Sequence, residues 1–88
     1  MKYLLIVSRI LNGDFSKLIL KLINECELKI YLVGDGVYNI KMVRIPFFTA
    51  CRNDLEMRGV KADGLSSEEF YDRLVWDLME WCDKVVFI

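Results

Sequence analysis

Cys51 has the clearest local means of doing chemistry in this 88-residue chain. It follows Phe47-Phe48-Thr49-Ala50, which reads as a strand, and precedes Asn53-Asp54-Leu55-Glu56, which reads as a helix start. A thiol placed there faces unpaired N–H groups and the positive end of the helix dipole, and adjacent Arg52 adds a full positive charge. Such a field favours a thiolate, and it would favour a persulfide anion in the same way. The position therefore predicts a nucleophilic Cys51. The competing reading is a small buried hydrophobe, a common use of free cysteine. Cys26 lies at a helix end near two glutamates, where a thiolate is disfavoured, and Cys82 is expected to pack in the final helix.

The residue types that are missing narrow the chemistry further. The three cysteines are widely spaced without a C-x-x-C pair, so neither a thioredoxin-type motif nor a zinc ribbon follows. Histidine is absent, which removes Ser-His and Cys-His catalysis and the usual imidazole metal ligands. Any reaction falls to a thiol or a carboxylate. Gly34-Asp35-Gly36-Val37-Tyr38 is the second feature. Asp35 there either orients a partner or substrate or simply belongs to a strand-to-helix turn. The segment lacks the G-x-G-x-x-G of a dinucleotide site, and no Walker A sequence occurs. Asp54 and Arg58 stand four apart on one short helix, the spacing of a surface ion pair. Trp76 and Trp81, with Phe70 and Tyr71, read as core and interface rather than a binding cage. Glu68, Glu69, Asp72, Asp77 and Glu80 read as a solvated acidic face.

The elements that must position these residues follow from hydrophobic patterning. Residues 2–8 form an apolar run that reads as a buried strand, closed by Arg9 and Asn12-Gly13. Asp14 can cap the next helix, about 14–25, whose Phe15, Leu18, Ile19 and Leu22 recur at helical spacing. Leu28 to Val33 is a second strand, ending at the Gly34–Gly36 turn, where glycines supply positive φ. Val37 to Val43 fits a helical turn or a loop. Pro46 argues against a central strand position but permits a strand to start there, giving Phe47 to Ala50 as the third. Asn53 and Glu56 resemble a capping box, and Gly59 suits the residue that ends a short helix. Val60 to Gly64 is a connector with room for a short strand. Ser66-Ser67-Glu68-Glu69 is a cleaner capping box before a helix of about 67–82, and Val85 to Ile88 is a last strand. Strands alternating with helices imply right-handed crossovers, hence a single-domain α/β fold, residues 1–88, with a mainly parallel sheet and helices on both faces. Ligands of such sheets gather outside the carboxyl ends of the strands, here Ser8–Gly13, Gly34–Tyr38 and Cys51–Asp54.

Composition bounds the partners. Twelve Lys and Arg against thirteen Asp and Glu leave a formal charge of −1, with no basic excess for a phosphate backbone, so no direct nucleic-acid partner is expected. Apolar and aromatic residues make up 55%, more than so small an interior absorbs, which predicts a homo-oligomer or a complex with related chains. The N-terminal apolar run is too short for a typical signal sequence and is interrupted by Arg9. No stretch reaches the ~20 apolar residues of a membrane span, so a cytoplasmic protein is expected.

Two segments carry a resemblance. Asp35-Gly36-Val37-Tyr38, followed by Thr49-Ala50-Cys51-Arg52-Asn53-Asp54-Leu55-Glu56-Met57-Arg58-Gly59-Val60, resembles the DsrE/DsrF/DsrH superfamily, whose relatives include the TusB, TusC and TusD proteins. The DsrH/TusB branch carries D-G-V after its second strand and D-x-x-x-R-G after its third, matched here by Asp35-Gly36-Val37 and by Asp54 to Gly59. In DsrE/TusD-type members the active cysteine stands eight residues before the glycine of an R-G pair, and Cys51 stands eight before Gly59. The frame is thus DsrH-like and the cysteine position DsrE-like. The resemblance implies sulfur handling: Cys51 accepts sulfur as a persulfide and passes it along a relay, as in tRNA thiolation or sulfur oxidation. Asp35, Gly36, Arg52, Asp54, Arg58 and Gly59 would shape the site, sulfur donor and acceptor proteins would be the partners, and no cofactor or metal is implied. The alternative is a non-catalytic oligomeric subunit whose cysteines are structural.

Overall fold

The computed structural model describes residues 1–11, 17, 19, 21, 22, 24–42 and 48–88, with Lys41 and Met42 as backbone only. Among the described residues four strands, β1 (Lys2–Val7), β2 (Glu27–Leu32), β3 (Thr49–Ala50) and β4 (Lys84–Phe87), form one sheet in the order β3-β2-β1-β4. Every pairing is parallel, with Leu5 opposite Ile30 on one side and Val86 on the other. The expected α/β class with a parallel sheet is what the chain adopts.

Parallel pairing obliges each connection to cross a face of the sheet. Lys17, Ile19, Lys21, Leu22, Asn24 and Glu25 are helical after β1, and Ile19 and Leu22 pack on Leu5, Val7, Ile30 and Leu32. A 3₁₀ turn, Gly34–Tyr38, and a short helix, Asn39–Met42, follow β2, with Val37 buried on that same face. The long helix beginning at Ser67 covers the other face, where Phe70 and Leu74 meet Leu4, Ile6 and Tyr31. Strand order explains this division. The chain steps from β1 to β2 to β3 in one direction and then returns past both to β4, so a right-handed return must use the opposite face.

Local chemistry fixes the ends of these elements. Ser66 accepts from the Glu69 N–H at 3.3 Å, so the expected cap is made. Its helix runs to Trp76 and then widens into a π-helical turn, Asp77–Trp81, where Cys82 N–H reaches Asp77 O at 3.0 Å. Gly59, at φ 64, follows the Arg52–Met57 helix; its N–H donates to Glu56 O and that of Val60 to Leu55 O. This is the Schellman arrangement, completed by the buried Val60 against Leu55.

Three boundaries differ from expectation. Asn53 is not a cap: the helix starts at Arg52 because Leu65 docks beside β3, accepting from Arg52 N–H (2.7 Å) and donating to Ala50 O (2.9 Å). That leaves Cys51 in the capping position, and Leu65, just beyond the expected connector, forms a parallel bridge with it. The third strand is confined to Thr49 and Ala50 among the described residues, since Phe48 is irregular. The proposed cap Asp14, the Asn12-Gly13 turn, Phe15, Leu18, Val43, Pro46 and Phe47 lie outside the described residues.

Of the two turn glycines, Gly34 takes the positive φ, 51°, and Gly36 does not. Gly36 is required for space instead, because a Cβ there would overlap the Val7 carbonyl, reaching 2.8 Å from its carbon. Gly36→Ala should therefore cost about 2–3 kcal/mol of stability, read from the urea midpoint, whereas Ser66→Ala should cost about 1 kcal/mol. A Gly36→Ala protein as stable as wild type would refute this close approach.

Candidate functional site

The three strand exits expected to gather at one end do so. Asn39, fully buried, joins the first two: its Oδ1 accepts from Leu11 N–H at 2.8 Å, and its Nδ2 donates to Arg9 O and Gly36 O, each at 2.9 Å. Arg58 joins the second and third. Its Nε donates to Asp35 Oδ1 at 3.0 Å, and Nη1 lies 3.6 Å from Asp54 Oδ1. Asp54 Oδ2 in turn accepts from Gly34 N–H at 3.2 Å. Asp35, Asp54 and Arg58 therefore form one braced rim, and the Asp54–Arg58 pair is more than an isolated surface contact. Gly36 is tied to this rim through Asn39, and Gly59 only as the residue after Arg58. Asn39 gives no signal in the sequence, because a lone polar residue in a segment that fits either a helical turn or a loop carries no periodic pattern.

Cys51 lies at this end of β3 but turns away from the Arg58 brace. Its side chain packs with Leu4, Ile6, Tyr31, Phe70 and Leu74 beneath the long helix, and only 2% of it is exposed. Its Sγ lies 3.6 Å from Ser67 Oγ, which also accepts from Asn53 Nδ2 at 2.7 Å. Arg52 directs its guanidinium to Gly64 O at 3.2 Å. Leu65, partly buried, packs against the same cluster as the thiol. Cys26 donates to Leu22 O at 3.0 Å and Cys82 to Leu78 O at 3.6 Å, and all three thiols are free. Strand order reverses between β1 and β4, where such sheets open a crevice. There Ser8 spans the gap, its N–H and Oγ reaching Ile88 O at 2.8 and 2.7 Å.

A second polar cluster corrects the acidic face. Glu68, Glu69, Asp72 and Glu80 are exposed, but Asp77 is 1% exposed. Its carboxylate accepts from the Tyr31 hydroxyl and from Lys29 Nζ at 2.9 Å. Lys29 also lies over the Trp81 ring, 4.5 Å from its centroid. The reason is register: Phe70, Leu74, Asp77 and Trp81 share the inward stripe, and Lys29 and Tyr31 rise from the same sheet face to meet it. A groove of about 690 Å³ opens beside this cluster, flanked by Phe48, Arg73 and Trp76. Among the described residues no group of three or more acidic or thiol ligands is placed to hold a metal ion. No described helix is long and apolar enough to cross a membrane. No protein-family model matches this chain, and no curated protein matches it.

Burial pushes the Tyr31 phenol above the ordinary tyrosine range, and the hydrogen bond to Asp77 and its negative charge push the same way. Below about pH 10 the phenol is protonated in folded and unfolded chains alike, so its contribution to stability is complete. Above that, the unfolded chain ionises first, and stability falls by up to ~1.4 kcal/mol per pH unit. Urea midpoints from pH 8 to 11 should show this decline, and Tyr31→Phe should flatten it. That variant should also lose about 1–3 kcal/mol at neutral pH, because one Asp77 oxygen loses its donor. An alkaline decline unchanged in Tyr31→Phe would remove the assignment.

Proposed function

We propose that this protein is a sulfur carrier of the DsrE/DsrF/DsrH type, in which Cys51 holds sulfur as a persulfide between a donor and an acceptor protein. The observation that carries this reading is the placement of Cys51 as N-cap of the Arg52–Met57 helix, directly after β3. From there to Gly59, which terminates the same helix, runs the segment on which the resemblance rests. The Arg58 bridge to Asp35 and Asp54 gives the helix a fixed seat, so a group at its N-terminus would be held in a defined place relative to the strand exits.

Both transfers are redox-neutral thiol exchanges. In loading, the Cys51 thiolate attacks the outer sulfur of a donor persulfide; the donor S–S bond breaks and the donor leaves as a thiolate. In unloading, an acceptor thiolate attacks the outer sulfur of the Cys51 persulfide, which restores the Cys51 thiolate. With Cys51 2% exposed, either partner must move some of the residues packed around it, Leu65 and Ser67 among them, to reach the thiol. Burial of the thiol also favours a second reading, an oligomeric interaction subunit in which Cys51 is only a core residue.

Intact mass after incubation with a persulfide donor separates the two. Under the carrier reading, wild type gains one sulfur atom, Cys51→Ser does not, and a Cys26→Ser/Cys82→Ser double variant still does. Leu65→Pro, which deletes the N–H bonded to Ala50, should raise the loading rate severalfold by loosening the packing around the thiol. A folded wild type that takes up no sulfur from several donors, or takes it up equally in Cys51→Ser, establishes the subunit reading instead.

A further inference from the structure

We infer that β4 is a self-association edge: two copies pair their β4 strands antiparallel about a two-fold axis through Val86, fusing both sheets into one. The inference is independent of the sulfur reading and starts from the main chain. Ile88 donates to Ile6 O at 2.9 Å and its carbonyl accepts from Ser8 N–H at 2.8 Å. Residues bonded to a parallel neighbour alternate, so Val86 and Lys84 likewise face β1, while Val85 and Phe87 turn their N–H and C=O outward. A two-fold axis requires the new pairing to be antiparallel. Centred on Val86, it sets Val85 against the partner's Phe87 and Phe87 against the partner's Val85. Those are the residues with free main-chain groups, so both pairs are of the hydrogen-bonded kind. Val86 then meets the partner's Val86, and Lys84 meets the partner's Ile88, which brings no like charges together.

The side chains support the same occupant. Val85, Val86 and Phe87 are all exposed, Phe87 at 70%. Glu69, Arg73 and Trp76 flank the groove over β2 and β3, so Tyr71, Val75 and Met79 occupy the opposite flank of the helix, toward β4. All three are exposed, Met79 at 76%. Val85 and Phe87, level with Leu4 and Ile6, share the helix side of the sheet with Tyr71, Val75 and Met79. These five present on the order of 400 Å² of apolar surface, a size at which patches on monomers are often functional. Val86, level with Leu5, emerges on the other face. With the main chain and the flanking Lys84 and Ile88, a copy of itself would cover a large part of the ~800 Å² per partner of a stable interface. Lys84 is the only charged residue in β4, little protection for an open edge of this length. The patch is apolar and its strand has no outer partner among the described residues, and the surface that satisfies both is the patch itself.

Sedimentation of the 88-residue chain at micromolar concentration should give a dimer, and Phe87→Lys should give a monomer with an unchanged circular dichroism spectrum and a urea midpoint that, unlike that of wild type, does not rise with protein concentration. In a Cys26→Ser/Cys82→Ser background, Val86→Cys should form a disulfide-linked dimer on mild oxidation, because residue 86 faces its own copy in a non-hydrogen-bonded pair. Val85→Cys should not. A wild type that stays monomeric at ~100 µM, well above the Kd expected of a standard-sized interface, overturns the proposal. So does a dimer that survives Phe87→Lys, or one cross-linked as readily through residue 85 as through residue 86.

Discussion

Leu4, Leu5, Ile6 and Val7 are sealed on both faces of β1, and everything else is arranged around that burial. A strand without a polar face has to lie between two layers and two neighbours, which a parallel sheet with helices on both sides provides. β2 and β4 supply the neighbours, the helix after β1 covers one face, and the helix from Ser67 covers the other. Because all strands run the same way, their exits meet at one end. The residues with chemical potential collect there as a consequence of the packing.

That end is built from main-chain fits more than from charge. Gly36 presses on the Val7 carbonyl, Asn39 satisfies three backbone groups of two loops, and Arg58 reaches across to Asp35 while its own helix is closed by Gly59. Each contact fixes a loop relative to a strand. The exposed Asp35–Arg58 pair contributes little stability by itself, on the order of 0–1 kcal/mol. Its effect is positional, since it holds the start of the 3₁₀ turn against the helix that Cys51 caps.

The fold class was legible because three of the four described strands are dense apolar runs and the turns between them carry strong signals. Ser66 and Gly59 read correctly for the same reason: an oxygen before a helix and a glycine after it act within a single turn. Failures came where a partner distant in sequence decides the outcome. Asp77 has the residue type of a surface position and the spacing of a core position, and only Lys29 and Tyr31 on β2 resolve the conflict. Asn53 lost its capping place to a bridge formed by Leu65. At Cys51 the position was legible, but the packing of Leu65 and Ser67 beside it was not, since neither lies in the motif that contains the thiol.

The pairing of β1 with β4 has a consequence for how the chain folds. Lys2 N–H reaches the Asp83 carboxylate across a separation of 81 residues, and Ser8 reaches Ile88 across 80. Contacts that distant form only after a large loop has closed, at an entropic cost that shorter connections avoid. The β1–β2 unit with its intervening helix is therefore favoured to assemble first, leaving one side of β1 without its strand and Leu4 and Ile6 without their helix. The most protected segment of the finished molecule is thus the most adhesive segment of its precursor, and the lifetime of that precursor governs how much chain is lost to aggregation.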